Sequence, residues 1–286
     1  VMQSDNKEIK DDVYLCKLWK HECERVFRDK LTTLEDQDWV NKTLQALVRD
    51  AFGEEYGPAT DNPCYYADFL RPPVYDDEGV CIDENPKCYE LCPSLDKVRE
   101  LTYAKMEEFN ESSKILKLDL VLFDDAIGHM MRITRILGMP RGSALLVGVG
   151  GSGKQSLAKL ATFICQYDVF QISVTSSYGM ADFKADLLSL YIKAGVKGNP
   201  VTFLMTDGQI IDERFLVYIN DLLSSGYIPD LMTNEEKDEM CNAVRNECKA
   251  AGIIDSPENL WDFFLDKVRK YLHVCLCFSP VGDKFR

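Results

Sequence analysis

Histidine and tryptophan are scarce in this 286-residue chain, with three copies of each. His21, His129 and His273 are far apart in sequence, so no histidine-based catalytic or metal-binding constellation is visible. Basic residues are also short: 33 Lys and Arg stand against 47 Asp and Glu, for a formal net charge of -14. A nucleic-acid backbone or an anionic lipid surface repels such a chain overall, so no nucleic-acid or membrane partner is expected. A local basic pocket for a phosphate stays compatible with that balance. No apolar run approaches the roughly 18 residues needed to span a bilayer, and the start, Val1 to Asp12, is polar rather than signal-like. The chain has no initiator Met and stops at Arg286 soon after a strand-like run, as expected of a piece of something longer. Cysteine is not scarce, but its eleven copies are odd in number and spread over a long chain, which argues against a disulfide framework. Cys64, Cys81, Cys88 and Cys92 lack C-x-x-C spacing and nearby histidines, so no zinc site is expected. Free thiols in a reducing cytoplasm are the reading.

What is present is globular. The chain is 46% hydrophobic and 28% charged, and long enough for one large domain or two ordinary ones. Residues 11–31 carry Leu15, Leu18, Trp19, Cys23, Val26 and Phe27 at helical spacing. Thr33 and Asp36 read as a capping box opening a second helix, with Trp39, Val40, Leu44, Leu47 and Val48 on its apolar face. Residues 1–53 are therefore expected to form a small all-α subdomain. Residues 54–93 are acidic and proline-rich, with Tyr65, Tyr66 and Phe69 as the main apolar cluster; an irregular connector is expected there. Helices resume with Ser94 as N-cap, and another is expected over about 119–137, before Gly138-Met139-Pro140. From Ser143 the pattern changes. Short apolar runs at 144–149, 169–174, 201–206 and 273–278 alternate with helical stretches. That is the pattern of a parallel sheet flanked by helices on both faces, an α/β domain over 94–286.

The strongest chemical signal is Gly148-Val149-Gly150-Gly151-Ser152-Gly153-Lys154, which follows an expected strand and opens an expected helix. That is the context of a phosphate-binding P-loop. Glycines let backbone N–H groups converge on phosphate oxygens, the helix start adds positive dipole, and Lys154 supplies a mobile charge. The pattern wants Ser or Thr next, to ligate Mg²⁺; here Gln155 stands there, with Ser156 one residue later. An amide oxygen can ligate Mg²⁺ or hold one of its waters, less tightly than a hydroxyl. A P-loop also needs an acid at the end of a neighbouring strand. Asp207, closing the run 201–206, fits that role; the bland alternative is a helix cap. The place of a water-orienting Glu directly after it holds Gly208, then Gln209, while Asp212 and Glu213 sit too far on. Nucleotide binding is expected, and hydrolysis is not. Ser279, ending the last strand run, is either a contact to the γ-phosphate or a plain strand-end turn.

The segment 146–157 (LVGVGGSGKQSL) resembles the P-loop of the fourth AAA+ module of dynein heavy chains, and the Gln after the Lys resembles the axonemal type. FLMTDGQI at 203–210 and FLVYINDLLSSGYIPDL at 215–231 resemble that module's acidic strand and following helix. HVCLCFSPVGDKFR at 273–286 resembles its sensor strand, and LVLFDDAIGHMMRITRIL at 120–137 its helical entry. LWKHECERVFRDK at 18–30 is similar to the closing helical segment of the third module. The resemblance implies an AAA+ fold and an ATP or ADP site with Mg²⁺. It implies backbone contacts to adenine at Val121, Leu122 and Phe123, and a sensor role for Ser279. Partners implied are neighbouring AAA+ modules and, through the parent protein, intermediate and light chains and microtubules, in the cytoskeleton of a ciliary axoneme. The parent would be an ATP-driven, minus-end-directed motor. Gly208, and Ser279 where many AAA+ proteins use Asn, point to a regulatory site with little turnover. A freestanding P-loop ATPase or kinase, and a structural module without nucleotide, are the alternatives.

Overall fold

In the computed structural model, residues 11–112 and 117–280 are described. The chain divides into two compact units, Val1–Glu111 with Val121–Arg132, and Ser112–Leu120 with Ile133–Arg286.

The first unit opens with α1 (Asp12–Cys23), capped by the Asp11 carboxylate, and runs on through a π-helical turn, Glu24–Arg28. Thr33 caps α2 (Leu34–Phe52) by accepting the Asp36 N–H, as its sequence predicts. Val40, Leu44 and Val48 are buried, but Trp39 and Leu47 are 67% and 48% exposed, so the apolar stripe of α2 is narrower than expected. Residues 54–93 hold more structure than an irregular connector. They contain α3 (Gly57–Asp61) and the short strands β1 (Tyr66–Ala67), β2 (Val74–Tyr75), β3 (Cys81–Asp83) and β4 (Glu90–Leu91). Two small antiparallel sheets result, β1 with β4 and β2 with β3. Tyr66 and Phe69 are buried, as expected of an aromatic pin, with the Tyr66 ring against His21 and Tyr89. The Ser94 hydroxyl accepts the Lys97 N–H at the start of α4 (Leu95–Ser112). α5 (Asp124–Leu137) begins later than expected, after a stretch over 117–123 that is neither helix nor strand.

The second unit is built on a four-stranded parallel sheet. In chain order its elements are β5 (Ala144–Val147), α6 (Lys154–Ile164), β6 (Asp168–Phe170), α7 (Met180–Tyr191), β7 (Val201–Thr206), α8 (Arg214–Ser225), α9 (Asn234–Ala250), α10 (Pro257–Tyr271) and β8 (Leu272–Phe278). The strand order is β5-β8-β7-β6. Side chains alternate across a strand. Val201, Phe203 and Met205 of β7, with Leu272 and Val274 of β8, pack into a large cluster with Phe183, Phe215, Phe264 and Val268 from the helices. On the opposite face Leu204, Cys275 and Cys277 meet Ala144 and Ala158. A sheet covered on both faces explains why its central strands read as unbroken apolar runs. Two expected strands are shorter. β5 stops at Val147, where the glycine loop begins, and β6 stops at Phe170, short of the 169–174 run. The eleven cysteines are unpaired. Among the described residues no helix is long and apolar enough to cross a membrane.

Candidate functional site

The ladder between β5 and β8 runs one step past the end of β5, where the Gly148 N–H donates to the Phe278 carbonyl (3.1 Å). The chain then turns through the glycine loop. Gly151 and Gly153 lie at φ 78° and 76°, a region that strains any side chain. Gly153 is also the N-cap of α6, and a Cβ there would come within 3.3 Å of Leu120 Cδ2. The first amides of a helix have no partner inside it. Among the described residues, the N–H groups of Gly150, Gly151, Gly153 and Lys154 donate to no backbone carbonyl, so a set of donors stands unspent around the loop. Lys154 folds over it, donating from Nζ to the carbonyls of Gly148 (2.6 Å) and Val149 (2.8 Å) and to Ser152 Oγ (3.2 Å). Gly148 through Gly153 thus form the loop and Lys154 through Ser156 the start of α6, with Val149 exposed in the loop.

β8 separates the loop from the acid, with Val147 level with Phe278 and Thr206 level with Cys277. This register places Ser279 beside Asp207, the residue that follows β7. The Ser279 N–H donates to Asp207 Oδ2 (2.8 Å), and the Gly208 N–H donates to Oδ1 (2.9 Å). The Ser279 hydroxyl and N–H hold the exposed Asp207 carboxyl below the usual carboxylate range. Asp212 precedes α8 and is gripped by Arg214, whose hydrogen bonds draw its carboxyl down to about 2. Gln209 has both amide atoms engaged: Oε1 accepts from Thr206 and Nε2 donates to the Ile172 carbonyl. No free base therefore stands directly after Asp207.

The donor set fits a phosphate with a hard divalent cation. The two N–H groups and the Ser279 hydroxyl take only part of the acceptor capacity of the Asp207 carboxylate, and the rest can take a cation or one of its waters. Gln155 is exposed on the first turn of α6, its Oε1 accepting from Gln171 Nε2 (3.4 Å). Among the described residues, no group of three or more His, Cys, Asp and Glu is arranged to hold a metal. Val121 and Leu122 fall in the first unit. There the Leu122 N–H donates to Tyr103 Oη and its carbonyl accepts from Arg99. Residues 281–286 of the sensor-like segment lie outside the described residues. Sequence reasoning gave Gln171 and Gln209 no part in the site; the only signal for Gln209 was a polar residue two places after the acid.

Comparison with known proteins adds to this geometry. Residues 118–286 match the family described as the P-loop containing dynein motor region D4, and residues 1–58 match the AAA+ lid domain. The chain belongs to the dynein motor family. It is 53% identical over 279 residues to the dynein beta chain of the flagellar outer arm of Chlamydomonas reinhardtii, covering 97% of this chain and 6% of that one. It is 46% identical over 274 residues to human dynein axonemal heavy chain 9, covering 95% of this chain and 6% of that one. The chain thus spans about 6% of the length of these curated relatives. The dynein match contains the glycine loop, Asp207 and Ser279, and the sheet with its flanking helices is the AAA+ P-loop fold that the sequence led us to expect. The lid match falls on the helical N-terminal part.

Proposed function

We propose that this chain is a nucleotide-binding ring module of a dynein heavy chain, in which bound ATP or ADP regulates or braces the ring with little turnover. The observation that carries this is the pairing of an intact phosphate loop with a strand-end acid that no second acid follows. Gly148 to Ser156 supply unspent backbone donors and the Lys154 charge. Asp207 and Gln155 hold Mg²⁺ or its waters, and Ser279, hydrogen-bonded to Asp207, serves as the sensor. Turnover needs a base to orient water. Gly208 has no side chain, Gln209 is engaged at both amide atoms, and Asp212 is tied to Arg214.

In this reading residues 1–53 close a preceding AAA+ module, 54–93 connect, and 94–286 form the large domain of the next. The names of the relatives, flagellar outer arm and axonemal, support a parent that works in the axoneme of a cilium. There it is an ATP-driven microtubule motor with intermediate and light chains as partners, and the neighbouring modules of the same heavy chain flank this one.

The test is equilibrium binding of a fluorescent ADP analogue with Mg²⁺, together with phosphate release. Lys154→Ala should weaken binding about a hundredfold, because a charge-assisted hydrogen bond is worth ~1.5–3 kcal/mol. Phosphate release should stay at background. Undiminished binding by Lys154→Ala defeats the phosphate-loop assignment. Brisk turnover favours a freestanding ATPase or kinase, and no binding by the folded chain favours a structural module.

A further inference from the structure

The end of β6 lies at a junction. After Phe170 the chain leaves the ladder, and two consecutive residues meet side-chain amides near the proposed Mg²⁺ ligands: Gln171 meets Gln155, itself one of the two, and Ile172 meets Gln209, two residues after the other, Asp207. Gln171 Nε2 donates to Gln155 Oε1 (3.4 Å) at the start of α6. The carbonyl of buried Ile172 accepts from Gln209 Nε2 (2.7 Å), a contact across 37 residues of sequence. The other end of that amide closes on Thr206, with Gln209 Oε1 accepting the Thr206 N–H (2.8 Å) and the Thr206 hydroxyl (3.1 Å). Gln209 is thus the last residue of a 3₁₀ turn, Asp207–Gln209, and its side chain ties both ends of that turn to the neighbouring strand end.

The geometry points to Gln209 as a positioning residue for Asp207: it fixes the turn that aims the carboxylate at Mg²⁺ and does not itself touch metal or nucleotide. The physical ground is that a ligand's orientation is set by what holds its backbone and its second lone pairs. Asp207 is the exposed first residue of the turn, and its own hydrogen bonds come from Gly208 inside the turn and from Ser279 across it. Without the Gln209 amide, the turn keeps the Ile210 N–H to Asp207 carbonyl bond (3.1 Å), the Ile211 N–H to Gln209 carbonyl bond (3.1 Å) and the two N–H bonds to the Asp207 carboxylate. The three side-chain bonds that join Thr206 to the end of β6 are lost. The assignment rests on the nucleotide reading above and deepens it, because it names what sets the metal dependence of that site.

The experiment compares the affinity of a fluorescent ADP analogue in excess Mg²⁺ and in EDTA, for the unmodified chain and for Gln209→Met and Gln209→Glu. Met keeps the length and loses every hydrogen bond. Glu keeps the acceptor for Thr206 but sets a carboxylate oxygen against the Ile172 carbonyl. The gain in affinity on adding Mg²⁺ should fall about tenfold in Gln209→Met, the size of loss usual for a partner one step removed from a metal ligand. It should fall less in Gln209→Glu, and affinity in EDTA should hold in all three proteins. Equal Mg²⁺ gain in all three overturns the assignment while leaving the nucleotide site standing. So does a variant that loses affinity equally with and without Mg²⁺, which reports a role in the fold alone. Failure of the folded, unmodified chain to bind the analogue defeats the nucleotide reading itself.

Discussion

Lys20, His21 and Glu24 of the first unit are buried, and each has its partners in place. Lys20 Nζ donates to the Thr60 carbonyl (2.6 Å) and the Asn62 carbonyl (3.2 Å) and sits 3.5 Å from Glu24. His21 Nδ1 donates to the Cys64 carbonyl (2.8 Å), and its Nε2 is bonded to Tyr89 Oη (2.8 Å). These side chains hold residues 54–93 against α1. The second unit does the reverse. Its largest cluster is apolar, and Lys154, Asp207 and Ser279 gather at the carboxyl ends of three adjacent strands. A buried polar group with its partners is architecture, because leaving it unpaired is costly. Polar groups at the carboxyl ends of a parallel sheet, beside unspent amides, are where such folds hold ligands.

The largest expected effect tests the apolar half of this contrast. Phe264 is fully buried, stacks on Trp261 at 5.3 Å, and fills space that Gly195 leaves open: a Cβ on Gly195 would come within 2.3 Å of the ring. Phe264→Ala should cost about 3–5 kcal/mol in urea unfolding of the second unit. A cost under about 1 kcal/mol would mean the cluster is not what holds the sheet. Next is the polar half. Lys20→Ala removes the ammonium from the Thr60 and Asn62 carbonyls and leaves buried Glu24 with Arg25 (3.8 Å), and it should cost about 2–3 kcal/mol. It should expose residues 54–93 to limited proteolysis and leave ADP affinity unchanged. Equal protease resistance in variant and parent would end the idea that this network pins the segment.

Legibility follows the same line. The apolar runs of β7 and β8, the Thr33 and Ser94 caps, and the glycine loop were readable because each depends on residues near in sequence. Gly151 and Gly153 announce their backbone directly. What was hidden depends on partners far apart. Lys20 reads as a solvated charge until its acceptors, 40 and 42 residues on, come to it. β6 reads as a strand through 174, but the Ile172 carbonyl goes to the Gln209 amide rather than to a ladder. Trp39 and Leu47 fit the helical period, yet the period does not say how wide a face is covered. Ser279 was a candidate in sequence, and only the order β5-β8-β7 places it at Asp207.

A smaller effect belongs to His273, a buried polar side chain inside the apolar unit. Its Nδ1 donates to the Gly142 carbonyl (2.7 Å), and its ring stacks on Tyr167. Burial pushes its basicity down, so the folded state holds it neutral. The stability tied to that neutral ring is full above the ordinary histidine value near 6.5. It is lost as pH falls from there through the lowered folded value, because the unfolded chain takes up the proton first. His273→Phe should cost about 1–3 kcal/mol at neutral pH by leaving the Gly142 carbonyl unpaired. It should also flatten the acid limb of the melting temperature. An unchanged acid limb would show that His273 does not set it.

The smallest effect lies at the proposed site, where exposure weakens every electrostatic term. The Ser279 hydroxyl and N–H both lower the Asp207 carboxyl, and Ser279→Ala removes only the hydroxyl. Asp207 is ionised at neutral pH in either protein, so Mg²⁺-dependent ADP affinity at pH 7 should barely change. The difference appears in acid. A lowered carboxyl keeps its charge above its own reduced value and loses the bound cation only as pH falls through that value. With the hydroxyl gone, the loss should begin at higher pH. A competing fluorescent nucleotide titrated from pH 7 to 4 measures it. A shift to lower pH would contradict the hydroxyl's part in holding Asp207, and the contrast between spent and unspent polar groups would then rest on the N–H groups alone.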